Sequence, residues 1–237
     1  MSLVYLFRHG QAGTRFDYDT LSEVGSRQAR LLGEHLALER IPFTRLYSGT
    51  LRRQSETAVL VAETSRARGY PLPEIQFDPR WNEFDLDAVY AAYAGPLRAE
   101  EPGFEEHYQE MLRISQDDHR VVHRRWTPCD TVVMRSYIQG RYPVPGGETW
   151  RMFLDRIGAT PAALGGSQEE TIGVFTSATP IAIWVGLTFG FDGLKLMRLA
   201  GAALNSSYSV FQLRGPEIDL VSFNAVPHLP PELRTFR

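Results

Sequence analysis

The sequence predicts an α/β fold, a three-layer α/β/α sandwich built on a mostly parallel sheet. Its first third alternates short apolar runs with amphipathic segments, in the order strand, helix, strand, helix, strand. Continuous apolar runs are typical of parallel strands that are covered on both faces. Two late apolar runs, at 208–213 and 220–223, flank a Gly-Pro pair and predict a C-terminal hairpin. A chain of 237 residues is long enough for one such domain with a full hydrophobic core.

Each predicted element has a local reason. Leu3 to Phe7 is an apolar run that ends at a polar cluster, which predicts a buried first strand. Ser22 is placed to cap a helix whose apolar positions recur on one face, and Pro42 ends that unit. The remaining predicted elements are a strand at 43–48, a helix from Leu51, a strand at 75–78, a strand at 171–176 and an apolar helix at 180–191.

The alternation of strands and helices stops from Asp85 to about Arg141. This stretch is helical in pattern, rich in charged and aromatic residues, and contains no convincing core strand. We interpret residues 1–237 as a single domain that carries a helical insert at about 85–141. A Pro-rich and Gly-rich turn at 143–147 follows, and Glu148 is expected to open the next helix.

Composition and charge argue against several classes of protein. The net charge of -3 and the scattered basic residues give no indication of nucleic-acid binding. The apolar runs at 3–7 and 181–191 are too short for a membrane span or a signal peptide. A single cysteine, Cys129, excludes an internal disulfide and is typical of a reducing compartment. We expect a soluble, cytoplasmic protein with no nucleic-acid or membrane partner, and the sequence leaves its oligomeric state open.

The tripeptide Arg8-His9-Gly10 stands directly after the first predicted strand. Reactive groups of open α/β sheets lie beyond the carboxyl ends of the strands. A histidine there can present one ring nitrogen as a nucleophile while a backbone carbonyl fixes the other. Arg8 can neutralise a phosphate, and Gly10 can leave its backbone N–H for the same oxyanion. Alone, the triplet also fits a histidine that is merely hydrogen-bonded at the end of a strand.

The surrounding residues make this motif specific. The chain reads Leu-Phe-Arg-His-Gly-Gln at 6–11 and Asp-Thr-Leu-Ser-Glu-Val-Gly at 19–25. These two stretches closely resemble the opening of the histidine phosphatase superfamily, which includes cofactor-dependent phosphoglycerate mutases and many broad phosphatases. The resemblance implies a phosphohistidine mechanism at His9 with Arg8 on the phosphate. We also expect Gln11 among the phosphate-binding residues, and we expect no cofactor.

A second segment extends the resemblance. Gly-Thr-Leu-Arg-Arg-Gln-Ser-Glu-Thr-Ala at 49–58 is similar to the superfamily's Ser-Pro-Leu-x-Arg-Ala-x-Gln-Thr-Ala. Aligned on Thr57 and Ala58, Arg53 takes the place of the second phosphate-binding arginine, whereas alignment on Ser48 selects Arg52. We prefer Arg53, because its register matches more residues and because the first turn of a helix adds positive dipole at an anion site.

A candidate general acid follows the third predicted strand. Asp-Pro-Arg-Trp-Asn-Glu-Phe at 78–84 resembles the superfamily's Leu-x-Glu loop, which implies that Glu83 protonates the leaving oxygen. A partly buried carboxyl beside an anionic phosphate has a raised pKa and can hold that proton. Asp85 and Asp87 lie nearby in the sequence and compete for this role.

The pattern breaks at the fourth strand, which in the superfamily ends in Ser/Thr-His-Gly with the histidine against the phosphate. Ser177 stands where that histidine is expected. Its hydroxyl can donate a hydrogen bond but brings no charge, which removes about 1–2 kcal/mol of transition-state stabilisation, or roughly ten- to thirty-fold in rate. We predict a slower enzyme, or one whose substrate supplies a positive group, and we predict that Ser177→His speeds turnover.

The other polar residues give weaker signals. The pair Asp17 and Asp19 superficially resembles that of haloacid-dehalogenase-type phosphatases, but no apolar strand directly precedes it. No His, Asp or Cys cluster has metal-ligand spacing. The remaining histidines cannot be assigned as substitutes for the missing one, and these are His35, His107, His119, His123 and His228.

These signals together predict a metal-independent phosphoric monoester hydrolase that acts on a small-molecule phosphate ester. The alternatives are a phospho-ligand-binding protein of the same fold with weakened turnover, and a phosphoglycerate mutase-like phosphotransferase. Substrate selection is expected from the insert, where Trp126, Tyr137 and Tyr142 are available. The candidate site consists of His9 and Glu83 as catalytic residues and of Arg8, Gln11, Arg53 and Ser177 as phosphate-binding residues.

Overall fold

A sheet of six strands organises the fold. The strands are β1 (Ser2–Arg8), β2 (Arg45–Ser48), β3 (Ile75–Phe77), β4 (Thr171–Thr176), β5 (Tyr208–Arg214) and β6 (Glu217–Ala225). Their order across the sheet is β3-β2-β4-β1-β5-β6. The strands β1 to β4 run parallel to their neighbours in that group, whereas β5 is antiparallel to β1 and β6 to β5. The predicted mostly parallel sheet with a C-terminal hairpin is confirmed.

The computed structural model describes residues 1–13, 18–117, 127–165, 169–215 and 217–236, without the side chains of 114–117. Two compact units are present, Met1–Glu83 with Ile157–Arg237, and Phe84–Arg156. The helices are α1 (Glu23–Glu39), α2 (Arg52–Ala67), α3 (Leu86–Glu100), α4 (Phe104–Asp117), α5 (Pro128–Ile138), α6 (Trp150–Gly158), α7 (Thr160–Leu164), α8 (Ala178–Phe189) and α9 (Gly193–Ala202).

Helices cover both faces of the sheet in the first unit. On one face, buried residues of α1 and α2 form a core with Phe7 and Phe175, which are register partners on β1 and β4. On the other face, Trp184 of α8 packs against Phe211 of β5, with ring centroids 5.2 Å apart. Phe211 pairs with Val4, whose side chain alternates to the face opposite that of Phe7. This arrangement confirms the predicted three-layer α/β/α sandwich.

Local signals set most of the element boundaries. Ser22 caps α1 as predicted, because its Oγ accepts the N–H of Gly25 at 3.0 Å. The fourth strand has its predicted bounds. The helix that was expected from Glu148 begins instead at Trp150, and the helix expected at 180–191 spans Ala178–Phe189. Such shifts of two residues are ordinary, because the terminal turns of helices fray and their bounds vary by one or two residues.

The second unit is helical and has an aromatic core of its own. The ring centroid of Phe84 lies 5.5 Å from that of Tyr137 and 5.4 Å from that of Phe153. Tyr137 is buried and donates its hydroxyl to the backbone oxygen of Glu148, so its place is in the packing of this unit. The predicted insert at 85–141 falls within the unit, whereas His119, His123 and Trp126 lie outside the described residues. The interpretation of the chain as a single domain stays a prediction.

Of the helices in the described residues, none is both long enough and apolar enough to cross a membrane.

Candidate active site

The candidate residues follow strands that end at one edge of the sheet. Arg8 and Thr176 are register partners at the carboxyl ends of β1 and β4, and Ser48, the last residue of β2, pairs with Phe175. The backbone N–H of His9 continues this ladder and donates to the carbonyl of Thr176 at 3.0 Å. This edge is where parallel α/β sheets place their reactive groups.

His9 has a defined tautomer. Its Nδ1 lies 2.7 Å from the carbonyl oxygen of Gly10. A carbonyl oxygen can only accept, so Nδ1 carries a proton, and in the neutral ring Nε2 then carries the lone pair. The backbone oxygen of His9 accepts the N–H of Ser206 at 3.0 Å, and the histidine is 2% exposed. The ring is therefore held in the form that a nucleophilic imidazole requires.

Gly10 serves packing rather than phosphate binding. Its backbone N–H donates to Thr57 Oγ1 at 3.0 Å, and that hydroxyl donates to the carbonyl of Arg53 at 2.6 Å. A Cβ at position 10 would lie 2.5 Å from the backbone oxygen of Gly25. The expectation that Gly10 leaves its N–H for an oxyanion is therefore wrong, because two distant segments meet the backbone here.

Gln11 joins β1 to the start of α1. Its backbone N–H donates to Gln28 Oε1 at 2.8 Å, and its side-chain Oε1 accepts the hydroxyl of Ser22 at 2.8 Å. The amide oxygen is therefore used by the helix cap. The amide nitrogen is the end of the side chain that can donate to an anion.

Arg8 is a buried cation beside His9, with 1% of its surface exposed. Its Nη1 donates to the carbonyl of Ala203, directly after the end of α9. This bond fixes the direction of the guanidinium. Arginine still offers several N–H groups from the same plane, which suits a phosphate.

Arg53 and Arg52 have different environments. The side chain of Arg53 is 7% exposed, and its Nη1 lies 2.7 Å from Asp19 Oδ1, while the guanidinium stacks on the ring of Tyr18 at 4.8 Å. The side chain of Arg52 is 65% exposed and pairs with Glu56 one turn further along the helix. A buried guanidinium in the first turn of α2 fits an anion site better than a solvated one.

Glu83 is held against the start of α8, because its Oε2 accepts the N–H of Thr179 at 3.1 Å. The preceding residue, Asn82, fastens this loop to the end of β2. Its Oδ1 accepts the N–H of Thr50 at 2.7 Å, and its Nδ2 donates to Thr50 Oγ1 at 2.8 Å. The competing carboxylate of Asp85 caps α3 instead.

Ser177 is buried at the end of β4, and its hydroxyl accepts a hydrogen bond that the sequence did not suggest. Gln54 Nε2 donates to Ser177 Oγ at 2.8 Å and to the carbonyl of Trp81 at 3.2 Å. The sequence does mark position 54 as unusual, since glutamine stands there where the superfamily segment has alanine, but it does not indicate Ser177 as the partner. Two further contacts were not expected from the sequence. Asp19 contacts Arg53, and Thr57 contacts Gly10.

The other described histidines lie in different surroundings. His35 and His228 stack on each other with ring centroids 5.7 Å apart, and His107 is exposed on α4. Burial, and to a lesser degree the neighbouring His35, lowers the pKa of His228 to about 3. Among the described residues, no group of three or more His, Cys, Asp or Glu side chains could hold a metal ion.

Solved structures with the same fold come from several organisms. Mycobacterial glucosyl-3-phosphoglycerate phosphatase is 19% identical, with 95% of this chain and 99% of that chain covered and a TM-score of 0.59. A phosphoserine phosphatase mutant from Entamoeba histolytica is 16% identical, with 97% and 100% covered and a TM-score of 0.57. The phosphoglycerate mutase from Bacillus anthracis is 17% identical, with 94% and 92% covered and a TM-score of 0.59. At these identities the likeness shows the fold alone.

Comparisons of the sequence identify the superfamily to which the chain belongs. The serine/threonine-protein phosphatase Pgam5, mitochondrial, of Caenorhabditis briggsae is 27% identical over 132 residues. This match covers 51% of the chain and 40% of the relative, so it spans less than half of that protein's length. The family model of the histidine phosphatase superfamily (branch 1) matches residues 4–128, which is more than half of the 237 residues. The chain belongs to the histidine phosphatase superfamily.

Proposed function

We propose that this protein is a phosphoric monoester hydrolase that works through a phosphohistidine at His9 and needs no metal. The observation that carries the proposal is the hydrogen bond from His9 Nδ1 to the carbonyl of Gly10, which leaves the lone pair on Nε2. Membership of the superfamily and similarity to phosphatases support the same type of reaction. The substrate class is a small-molecule phosphate ester.

In the first step, Nε2 of His9 attacks phosphorus. A nitrogen–phosphorus bond forms, and the bond from phosphorus to the ester oxygen breaks. Glu83 gives its proton to that oxygen, so the leaving group departs as an alcohol. Since Oε2 of Glu83 accepts the N–H of Thr179, Oε1 is the oxygen that carries the proton. The carbonyl of Gly10 stabilises the positive charge that the ring acquires.

In the second step, water attacks the phosphohistidine. The carboxylate of Glu83 takes a proton from the water, an oxygen–phosphorus bond forms and the nitrogen–phosphorus bond breaks. Inorganic phosphate leaves, and His9 returns to its neutral form with the Nδ1 proton in place. Glu83 is protonated again and ready for the next ester.

Two guanidiniums neutralise the phosphoryl oxygens in this scheme. Arg8 and Arg53 are both buried, and a buried charge interacts with an anion more strongly than an exposed one. Arginine also binds phosphate oxygens through two parallel hydrogen bonds, which orients phosphorus for in-line attack. The charge that a metal supplies in other phosphatases is therefore supplied here by side chains.

The test is hydrolysis of p-nitrophenyl phosphate in the presence of EDTA. We expect turnover that the chelator does not change and that His9→Ala abolishes. Rapid acid-free quenching of the reaction should trap a phosphate that is stable in alkali and labile in acid, as a phosphohistidine is. The control is His107→Ala, an exposed histidine on α4 whose loss should leave the rate unchanged. Equal activity in the wild type and in His9→Ala would refute the proposal.

A second candidate is a phospho-ligand-binding protein of the same fold. The observations that favour it are the neutral Ser177 in place of a histidine and the Asp19 carboxylate on Arg53. This candidate predicts that inorganic phosphate binds in calorimetry with the same affinity in the wild type and in His9→Ala, with no phosphoenzyme in either. Measurable turnover that depends on His9 would support the hydrolase over the phospho-ligand-binding protein.

A further inference from the structure

We propose that Gln54 is a positioning residue for this reaction. Its amide fixes the Ser177 hydroxyl as a hydrogen-bond donor to the phosphoryl group, and the two side chains together take the place of one histidine. The inference rests on the proposed hydrolase function and concerns how the chain compensates for the histidine that it lacks.

Ser177 does not cap its helix. It stands at the N-cap of α8, yet its side chain makes no capping hydrogen bond. A capping serine accepts the N–H of the second or third helical residue. The second residue is Thr179, whose N–H is bound to Glu83, and the third is Pro180, which has no N–H. The hydroxyl of Ser177 is therefore released from the usual role of serine at this position.

Gln54 determines the direction in which the Ser177 hydroxyl proton points. The carbonyl of Trp81 accepts from Gln54 Nε2, which fixes the amide nitrogen rather than the amide oxygen toward Ser177. Ser177 Oγ therefore accepts from Gln54 and keeps its own proton for another acceptor. Gln54 is fully buried and Ser177 is 1% exposed, so this geometry is set by packing. At the edge of the sheet that carries His9, the acceptor is an oxygen of the phosphoryl group.

The side chains of Gln54 and Ser177 share one space in the core. The superfamily segment has alanine where this chain has Gln54, and histidine where it has Ser177. Glutamine adds to alanine as many non-hydrogen atoms as serine lacks relative to histidine. Because the Gln54 amide touches Ser177 Oγ at 2.8 Å, a larger residue at 177 needs the volume that the amide occupies. The sequence alone predicted that Ser177→His speeds turnover. With the Gln54 amide in contact with Ser177, we expect that gain only when Gln54 is shortened as well.

The Gln54–Ser177 pair also differs from a histidine in its charge. The pair of amide and hydroxyl is neutral at every pH at which the protein is folded, whereas an imidazole titrates near pH 6.5. The dependence of kcat/KM on pH should therefore show no titration that originates from the side chain at position 177. The variant that carries both Gln54→Ala and Ser177→His should gain such a titration, because it has the imidazole that the wild type lacks.

The test is a double-mutant cycle on p-nitrophenyl phosphate hydrolysis. Gln54→Met keeps the length of the side chain and removes its N–H groups, while the carbonyl of Trp81 retains the hydroxyl of Thr176 as a donor. We expect Gln54→Met and Ser177→Ala each to lower kcat/KM roughly five- to ten-fold, and the double variant to lose no more than Ser177→Ala. Val59→Ala, an exposed change on the same helix, is the matched control, and thermal unfolding verifies that each variant is folded.

The second arm compares Ser177→His with Gln54→Ala/Ser177→His. We expect the pair to exceed the wild-type kcat/KM roughly ten-fold, with a new titration near pH 6.5, and the single change to give no gain. Losses that multiply in the cycle, or a gain from Ser177→His alone, would overturn the inference. Wild-type turnover that Gln54 and Ser177 variants do not alter refutes only this inference, whereas absence of His9-dependent turnover refutes the proposed function.

Discussion

Asp19 forms a salt bridge with Arg53 in which Oδ1 lies 2.7 Å from Nη1. Through Oδ2, the same carboxylate accepts the backbone N–H of Arg52 at 3.1 Å, so it also contacts the first turn of α2. A guanidinium and a helix N-terminus are the two groups that attract a phosphate. The Asp19 carboxylate therefore contacts both the guanidinium and the helix N-terminus. We expect it to compete with the phosphate of the substrate for these two groups.

Asp19→Asn should tighten the binding of phosphate. The substitution preserves shape and removes the charge that neutralises Arg53. Because the side chain of Asp19 is 44% exposed, solvent weakens the pair to about 1 kcal/mol, which corresponds to a roughly five-fold lower KM and a lower inhibition constant for inorganic phosphate. Glu34→Gln, which breaks the exposed pair with Arg68, is the control. A higher KM in Asp19→Asn would show that the carboxylate orients the guanidinium instead.

The two neighbouring arginines should differ sharply in their importance. Arg53→Ala removes a buried cation from the proposed phosphate site and should lower kcat/KM by about 100- to 1000-fold, the usual effect of losing one transition-state donor. Arg52→Ala removes an exposed partner of Glu56 and should change kcat/KM less than about three-fold. Steady-state kinetics on one ester measures both. Comparable losses in the two variants would contradict the assignment of Arg53.

Glu83→Gln should have an effect that depends on the leaving group. The amide oxygen still accepts the N–H of Thr179, so the loop keeps its anchor, but no proton is available for the ester oxygen. We expect kcat for an alkyl phosphate to fall by about 100-fold or more, and kcat for p-nitrophenyl phosphate to fall much less, because p-nitrophenolate leaves without a proton. Asp85→Asn preserves the cap of α3 and serves as the control. Equal losses for both esters would exclude Glu83 as the acid.

The sequence predicted the parts of the fold and of the site that depend on local patterns. The apolar run before Arg8 placed His9 at the end of a strand, and Ser22 marked the start of α1. The alternation of apolar runs with helical segments predicted a mostly parallel sheet. The strand order β3-β2-β4-β1-β5-β6 was not predicted, because local periodicity does not say which strands become neighbours.

The hydrogen bonds that orient Ser177 and Gly10 join residues that are far apart in the sequence. Gln54 and Ser177 are separated by 123 positions, and Gly10 and Thr57 by 47. No local pattern encodes such pairs, because they arise only when the strands are side by side. For that reason the N–H of Gly10 was expected at the phosphate, and the amide that faces Ser177 was not expected at all.

A pair of stacked histidines provides the last prediction. His35 and His228 lie 5.7 Å apart between ring centroids, and the ring of Tyr208 stacks on both. Burial first and His35 second lower the pKa of His228 to about 3. Burial also lowers the pKa of His35, although the carboxylate of Glu39 opposes this shift. Both rings are therefore neutral in the folded protein at neutral pH.

The sign of the pH dependence follows from the lowered pKa values. In the unfolded chain a histidine binds a proton near pH 6.5, whereas His228 in the folded protein binds one only near pH 3. Between these values the unfolded state holds more protons, so stability is complete above about pH 6.5 and is lost as the pH falls toward 3. The loss amounts to about 1.4 kcal/mol per pH unit for one such group.

His228→Asn should remove this contribution. Urea unfolding between pH 4.5 and 6 should give a free energy whose dependence on pH is weaker than in the wild type by about 1.4 kcal/mol per pH unit. His107→Asn, an exposed change on α4, should leave the wild-type slope intact. Whatever the stability of the variant at pH 7.5, only the slope of the free energy of unfolding against pH reports the titration. An unaltered slope in His228→Asn would mean that other groups bind the protons that unfold the protein in acid.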